Sequence, residues 1–259
     1  MIQVYPIPAF QDNYLWLFQR KSAAQAYVVD PGDAQVILDA LAKDRLTLAG
    51  ILITHHHWDH TGGVRDLLEH HQVPVYGPYS PNIPHITHPL REGDFIELAN
   101  DMRFRILEVP GHTLDHIAYV SENENPGLLF CGDTLFCGGC GRLFEGSAEQ
   151  MYTSLSKLAR LAENTLVYCA HEYTLSNLKF ALAVEGGNLE LQGRMDVESK
   201  KRLAGEPTVP STIGIENATN PFMRSQQSSI KVAAEQHTKR QLDKPENVLG
   251  AIRTWKDNF

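Results

Sequence analysis

A chain of 259 residues, 42% of them hydrophobic, is long enough for one large domain or two smaller ones. Its net charge of -8 argues against nucleic-acid or anionic-membrane partners, since both recruit basic surface, while leaving room for a local basic pocket and a small anionic ligand. No leader-like or membrane-spanning apolar run is visible, and the four cysteines, Cys131, Cys137, Cys140 and Cys169, are too few and too clustered for a disulfide framework, so a cytoplasmic location is expected.

In chain order, short runs rich in Val, Ile and Leu, bounded by Gly, Pro, Asn or Asp, predict strands. They cover 15–18, 26–29, 50–53, 104–109, 117–120, 128–131 and 166–169. Asp30-Pro31-Gly32-Asp33 reads as a turn into a helix over 34–41, and 151–161 has the helical spacing of apolar residues. After His171 the strand signals fade. Helices are predicted over 178–184, 230–236 and 247–255, with a Pro-, Thr- and Ser-containing connector around 206–212. A domain boundary is expected near Tyr173.

The unusual count is 12 histidines. His55, His57, Asp59 and His60 form an HxHxDH pattern. Imidazoles and carboxylates are the ligands that zinc, iron and manganese accept. Two histidines two apart share one side of an extended backbone. A histidine tag would be longer, terminal and free of Trp58 and Asp59. Three further strand-like runs lead into His112, Asp133 and His171. Seven such ligands are too many for one tetrahedral ion. They suit two ions if a carboxylate bridges, and Asp133 is the obvious bridge. Paired ions about 3.5–4 Å apart support hydrolysis.

This order of motifs resembles the metallo-β-lactamase superfamily. Within it the chain is similar, almost end to end, to glyoxalase II, the hydroxyacylglutathione hydrolases. The likeness includes Ile7-Pro8-Ala9-Phe10, Asp12-Asn13-Tyr14, Asp30-Pro31-Gly32 and Cys131-Gly132-Asp133-Thr134-Leu135-Phe136. It continues through Gly139-Cys140-Gly141-Arg142, His171-Glu172-Tyr173-Thr174, the run from Glu206 to Thr212 and Asn220-Pro221-Phe222. The resemblance implies an α+β fold, a four-layer αβ/βα sandwich of the metallo-β-lactamase type plus a smaller C-terminal helical domain. Residues 1–173 would be catalytic and 174–259 would bind substrate.

By the same resemblance, His55, His57 and His112 hold one metal, Asp59, His60 and His171 the other, and Asp133 bridges. The cofactors would be two divalent ions, zinc first, with iron or manganese accepted by the same donors. His116 would brace the site. Arg142, Phe144, Tyr173, Arg253 and Lys256 match substrate contacts; Phe144 stands where relatives often have Tyr, and Asp115 where many have Gly. Arg253 and Lys256 share a helix face, which also suits a solvated helix end.

The implied reaction is hydrolysis of S-2-hydroxyacylglutathione thioesters by a metal-bridging hydroxide, with Asp59 and Asp133 as catalytic carboxylates. S-D-lactoylglutathione would give glutathione and D-lactate, the second step of methylglyoxal detoxification. The expected partner is a small-molecule thioester, without nucleic acid or membrane, and the chain is expected to be a monomer. A two-zinc β-lactamase would place Cys at Asp133. A nuclease would need basic surface, and a persulfide dioxygenase typically lacks a comparable helical domain. A non-enzymatic glutathione or metal binder fits the complete ligand set less well. The CxxC of Cys137 and Cys140 reads as a tight loop, and His70, His71, His85 and His88 as structural or exposed.

Overall fold

The computed structural model describes residues 1–259. No helix is long and apolar enough to cross a membrane. The chain divides into two compact units, one of Met1–Glu108 with Asp115–Gly132, the other of Val109–Leu114 with Asp133–Phe259.

The first unit holds strands β1 (Ile2–Ala9), β2 (Asn13–Arg20), β3 (Gln25–Val29), β4 (Thr47–Leu52) and β5 (Val75–Pro78). It continues with β6 (His88–Leu90), β7 (Phe95–Leu98), β8 (Met102–Glu108), β9 (Ile117–Ser121) and β10 (Leu128–Gly132). Its helices are α1 (Ala34–Asp44), α2 (Trp58–Thr61) and α3 (Val64–His70). The first six strands form one sheet in sequence order, antiparallel from β1 to β3 and parallel from β3 to β6. Parallel neighbours need a crossover, and α1 supplies it between β3 and β4. Asp33 caps α1 by accepting from the Gln35 amide, and left-handed Arg45 closes it. Ile37 and Leu41 of α1 join Leu15, Leu17, Val28 and Ile51 in one core. Strands β10, β9, β8 and β7 pair antiparallel in that order. Phe18 of β2 meets Phe104 of β8 and Phe130 of β10, with ring centroids 5.6 and 5.3 Å apart. The two groups of strands thus cover each other's apolar faces, and β2 is buried along nearly its whole length.

The second unit is mainly helical: α4 (Ala148–Leu158), α5 (Thr174–Glu185), α6 (Leu189–Leu203), α7 (Ile213–Thr219), α8 (Ser228–Thr238) and α9 (Pro245–Asp257). Two short antiparallel pairs accompany them: β11 (Leu135–Phe136) with β12 (Gly139–Cys140), and β13 (Leu166–Cys169) with β14 (Ser211–Thr212). Ser147 and Gln150 form a capping box at the start of α4. Leu178 and Ala181 of α5 bury against Leu191 of α6. Phe180 packs on Phe222, Trp255 and Phe259, which ties α9 into this core.

The α+β mixture agrees with the sequence reading. The predicted strands fall on β2, β3, β4, β8, β9, β10 and β13, and the predicted helices on α1, α4, α5, α8 and α9. The short strands β5, β6, β7, β11, β12 and β14 and the short helices α2 and α7 carry no prediction, and neither do two longer elements, β1 and α6. β1 contains Pro6 and Pro8, which a strand tolerates at a sheet edge, where β1 lies. α6 buries Leu191, Arg194 and Glu198, so two of its three buried positions are charged and no apolar stripe marks it.

Candidate metal centre

In the first unit the chain leaves β4 at Leu52 and reaches His55 within three residues. The short helix α2 then presents Asp59 and His60. His55 and His60 are fully buried, and the His55 ring lies 4.8 Å from His57 and 4.1 Å from His60. A buried carboxylate organises them. Asp30 Oδ1 accepts from the Thr54 amide at 2.7 Å, while Oδ2 accepts from Thr54 Oγ1 at 2.7 Å and His60 Nδ1 at 2.9 Å. Because a carboxylate only accepts, His60 carries its proton on Nδ1 and its lone pair on Nε2. The Thr54 hydroxyl spends its hydrogen on Asp30, so it accepts from His55 Nδ1, 3.0 Å away. His55 therefore also turns an unprotonated Nε2 away from the brace. A ring proton held by a carboxylate or hydroxyl, with the opposite nitrogen bare, is the usual state of a metal-binding histidine. Asp30 thus braces rather than binds, although its oxygens and the His55 and His60 nitrogens lie within 4.8 Å of one another.

Asp59 is oriented by Asn13, whose Nδ2 donates to Oδ2 at 3.0 Å. His116 stacks on His55 at 4.5 Å. His56 Nδ1 sits 2.9 Å from both oxygens of Asp115, so this acid grips the loop between His55 and His57. The Tyr119 hydroxyl donates to the Ile53 carbonyl at 2.8 Å. Burial, with Asp30 nearby, pushes this phenol well above its usual range against the opposing pull of the Ile53 bond, so it stays a donor.

In the second unit His112 Nδ1 donates to the Arg142 carbonyl at 2.8 Å, which again bares Nε2. Asp133 follows β10 and points one oxygen at each of two imidazoles: Oδ2 is 3.4 Å from His112 Nε2, and Oδ1 is 3.4 Å from His171 Nε2. In the first unit Asp59 Oδ2 and His60 Nε2 are 3.5 Å apart. Tetrahedral coordination at 2.0–2.1 Å sets neighbouring ligand atoms about 3.3 Å apart. In the neutral ring, His112 Nε2 and the carboxylate oxygen it faces are both acceptors, an arrangement that suits a cation between them. The donor set fits metal.

The predicted substrate residues lie in the second unit. Tyr173 stacks parallel on His171 at 4.7 Å, and Phe144 meets His112 edge-on at 5.3 Å. Arg253 is buried: Nη1 donates to the Cys140 carbonyl at 2.8 Å and Nη2 to Asp257 at 3.0 Å. Arg142 Nε is 3.5 Å from the same Asp257 oxygen. Lys256 is pulled down from 10.5 to about 8, first by burial and then by Arg253 and Arg142; Cys140 and Asp257 oppose the shift. Three cations thus gather about a single acid.

Residues 12–171 match the family model described as the metallo-beta-lactamase superfamily, and 172–259 match the one described as the hydroxyacylglutathione hydrolase C-terminus. The chain is 52% identical over 258 residues to the hydroxyacylglutathione hydrolase of Alkalilimnicola ehrlichii, covering 99% of each. The chain belongs to the hydroxyacylglutathione hydrolase family of the metallo-β-lactamase superfamily. ETHE1 from Myxococcus xanthus shares the fold, with a TM-score of 0.66 at 24% identity over 99% of this chain and 98% of its own. TTHA1623, solved in a di-iron-bound form, gives 0.61 at 25% identity over 85% and 100%. The metallo-β-lactamase fold together with the His/Asp clusters points to a binuclear metal site.

What the sequence does not reveal is the bracing. The sequence places Asp30 in a turn and in the family likeness but gives it no role at the site. The available signal was an acid directly after the apolar end of β3, a place where a buried carboxylate needs partners.

Proposed function

We propose that the chain hydrolyses S-2-hydroxyacylglutathione thioesters, converting S-D-lactoylglutathione to glutathione and D-lactate in methylglyoxal detoxification. The observation that carries this reading is the complete donor set within a chain 52% identical, over 99% of its length, to a hydroxyacylglutathione hydrolase. His55, His57 and His112 would hold one divalent ion and Asp59, His60 and His171 the other, with Asp133 between them. Zinc is the first choice, with iron or manganese also suited to these donors. Such ions, when bound, supply an activated water nucleophile and a Lewis acid for the carbonyl.

The chain's own residues do the rest. Asp59, fixed by Asn13, orients the nucleophile. Asp30, Thr54 and the Arg142 carbonyl hold the histidines in the tautomer that keeps Nε2 bare. Phe144 and Tyr173 wall the approach beside His112 and His171. Arg142, Arg253 and Lys256 form the basic pocket that an anionic glutathione moiety needs on an acidic protein. The leaving thiolate departs without a dedicated proton donor, because a free thiol has a pKa of about 8.5. The helical segment 174–259 would add Arg253 and Lys256 to the substrate contacts, while 1–173 carries the chemistry together with Arg142, Phe144 and Tyr173, in a cytoplasmic monomer.

The test compares S-D-lactoylglutathione with a lactoyl thioester of a small neutral thiol. The glutathione ester should be strongly preferred in kcat/KM. Equal turnover of both would reject glutathione as the recognised handle.

A further inference from the structure

Beside the hairpin of β11 and β12 lies a carboxylate with no part in the proposed chemistry. Glu216 of α7 is fully buried. Four donors converge on it. Arg194 Nη2 and Ser211 Oγ donate to Oε1 at 2.5 and 2.6 Å, and the Gly138 amide and Asn220 Nδ2 donate to Oε2 at 2.8 and 3.0 Å. Asn220 Nδ2 also reaches the carbonyls of Phe136 at 3.2 Å and Gly139 at 2.9 Å, and Asn177 Nδ2 donates to the Cys137 carbonyl at 3.0 Å. Gly138 itself has φ +70, a conformation the turn could not give most other residues cheaply. Side chains from α5 and the end of α7 therefore hold the whole turn.

The hairpin is joined to metal-ligand candidates on both sides. Asp133 lies two residues before it. After it, Gly141 donates to the Thr134 carbonyl at 3.3 Å, and the next residue, Arg142, supplies the carbonyl that fixes His112. A Cβ at Gly141 would lie 2.1 Å from the Asp133 carbonyl oxygen and 3.0 Å from His112 Nδ1, so these segments touch. The Phe136 ring stands edge-on to His171 and Tyr173 at 5.7 and 5.3 Å. A shift of the hairpin would move all three donors of this unit.

We propose that Glu216 is a positioning residue for the metal ligands Asp133 and His112, acting through Gly138 and Asn220 on the hairpin that runs from Asp133 to the Arg142 carbonyl holding His112. The proposal rests on the assignment of Asp133 and His112 as ligands. It calls for a carboxylate specifically, because four donors need acceptors on both oxygens. A glutamine would turn its NH2 either on Arg194 and Ser211 or on Gly138 and Asn220.

The test uses metal-loaded protein. Wild type, Glu216→Gln and Arg224→Met are dialysed against graded chelator, and retained metal, far-UV circular dichroism and thermal unfolding are read on each sample. Arg224 pairs with Glu185 at 2.9 Å and donates to the Asn217 carbonyl of α7 at 3.3 Å, but it makes none of the bonds to Glu216 or the hairpin, so it reports a loss of helix anchoring without a loss of the Glu216 contacts. Glu216→Gln should lose metal at about 10- to 100-fold lower chelator while still folded, the scale of other supporting-residue effects on metal sites. Arg224→Met should unfold earlier yet retain metal like wild type. Wild-type retention by a folded Glu216→Gln, or equal metal loss in both variants, overturns the proposal. If Glu216→Gln does not fold, Asn220→Ser, which frees the Phe136 and Gly139 carbonyls, is read by the same criteria. A wild type that binds no metal overturns the ligand assignment and this role with it.

Discussion

The donors in the two units are built by different means. In the first, four donors sit within six consecutive residues, and one carboxylate, Asp30, sets two of the histidines through Thr54 and His60. In the second, His112, Asp133 and His171 are scattered along the chain. Backbone carbonyls and a clamped hairpin hold that region, with Glu216, Asn220 and Asn177 reaching in from the helices. A contiguous motif can be braced locally by a single buried acid. A dispersed one needs structure from far along the chain, and the helical segment that matches the hydroxyacylglutathione hydrolase C-terminus supplies it here.

The largest effect should come from Asp133→Ala, in the dispersed set. Asp133 faces two imidazoles, whereas His171 serves one side only. Asp133→Ala should lower kcat/KM by about 10³-fold or more, with metal lost, and His171→Ala by less. Near-normal turnover with metal retained in Asp133→Ala would remove the bridge from the account.

Asp30→Asn tests the local set. An amide keeps one acceptor but presents donors to Thr54 or His60, so the tautomers are no longer fixed. Metal affinity should fall about 10- to 100-fold, measured by chelator competition. An unchanged affinity would mean that the motif holds its geometry without the brace, and the contrast between the units would fail.

Much of this could be read from the sequence, for physical reasons that differ by residue. The HxHxDH donors are visible because local spacing alone makes them neighbours, and the strand-then-ligand repetition exposed His112, Asp133 and His171. Glu216 could not be read this way. It stands in a seven-residue helix too short to show a periodic pattern, and its donors come from positions 138, 194, 211 and 220. Arg253 was legible as a cation on the same face as Lys256, but its burial against Cys140 and Asp257 was not, because a helix-face argument cannot see the opposing loop.

The substrate side refines the contrast with smaller effects. Lys256→Met should raise KM for lactoylglutathione about tenfold, the worth of one charge-assisted contact near 1.5 kcal/mol, and spare kcat. Arg253→Met should do the same but also cost stability, since its guanidinium is anchored within the fold. The Lys256 ammonium is charged below its pKa of about 8. KM for the glutathione ester should therefore rise as pH climbs through that value, and Lys256→Met should flatten this rise. A KM independent of pH in the wild type would detach Lys256 from the substrate.

The smallest effect concerns Phe144, which is 62% exposed beside His112. Phe144→Tyr adds the phenol that the family resemblance leads one to expect there. KM should fall by about fivefold, the worth of roughly 1 kcal/mol for one hydrogen bond, with metal content unchanged. No change would leave the ring as a wall only.

The proposed function is thioester hydrolysis that works through a pair of bound ions. Metal content and S-D-lactoylglutathione hydrolysis measured on the same purified sample test it most directly. The account predicts up to two ions per chain and loss of activity on chelation. Full activity with a single tightly bound ion, or with none, would contradict it.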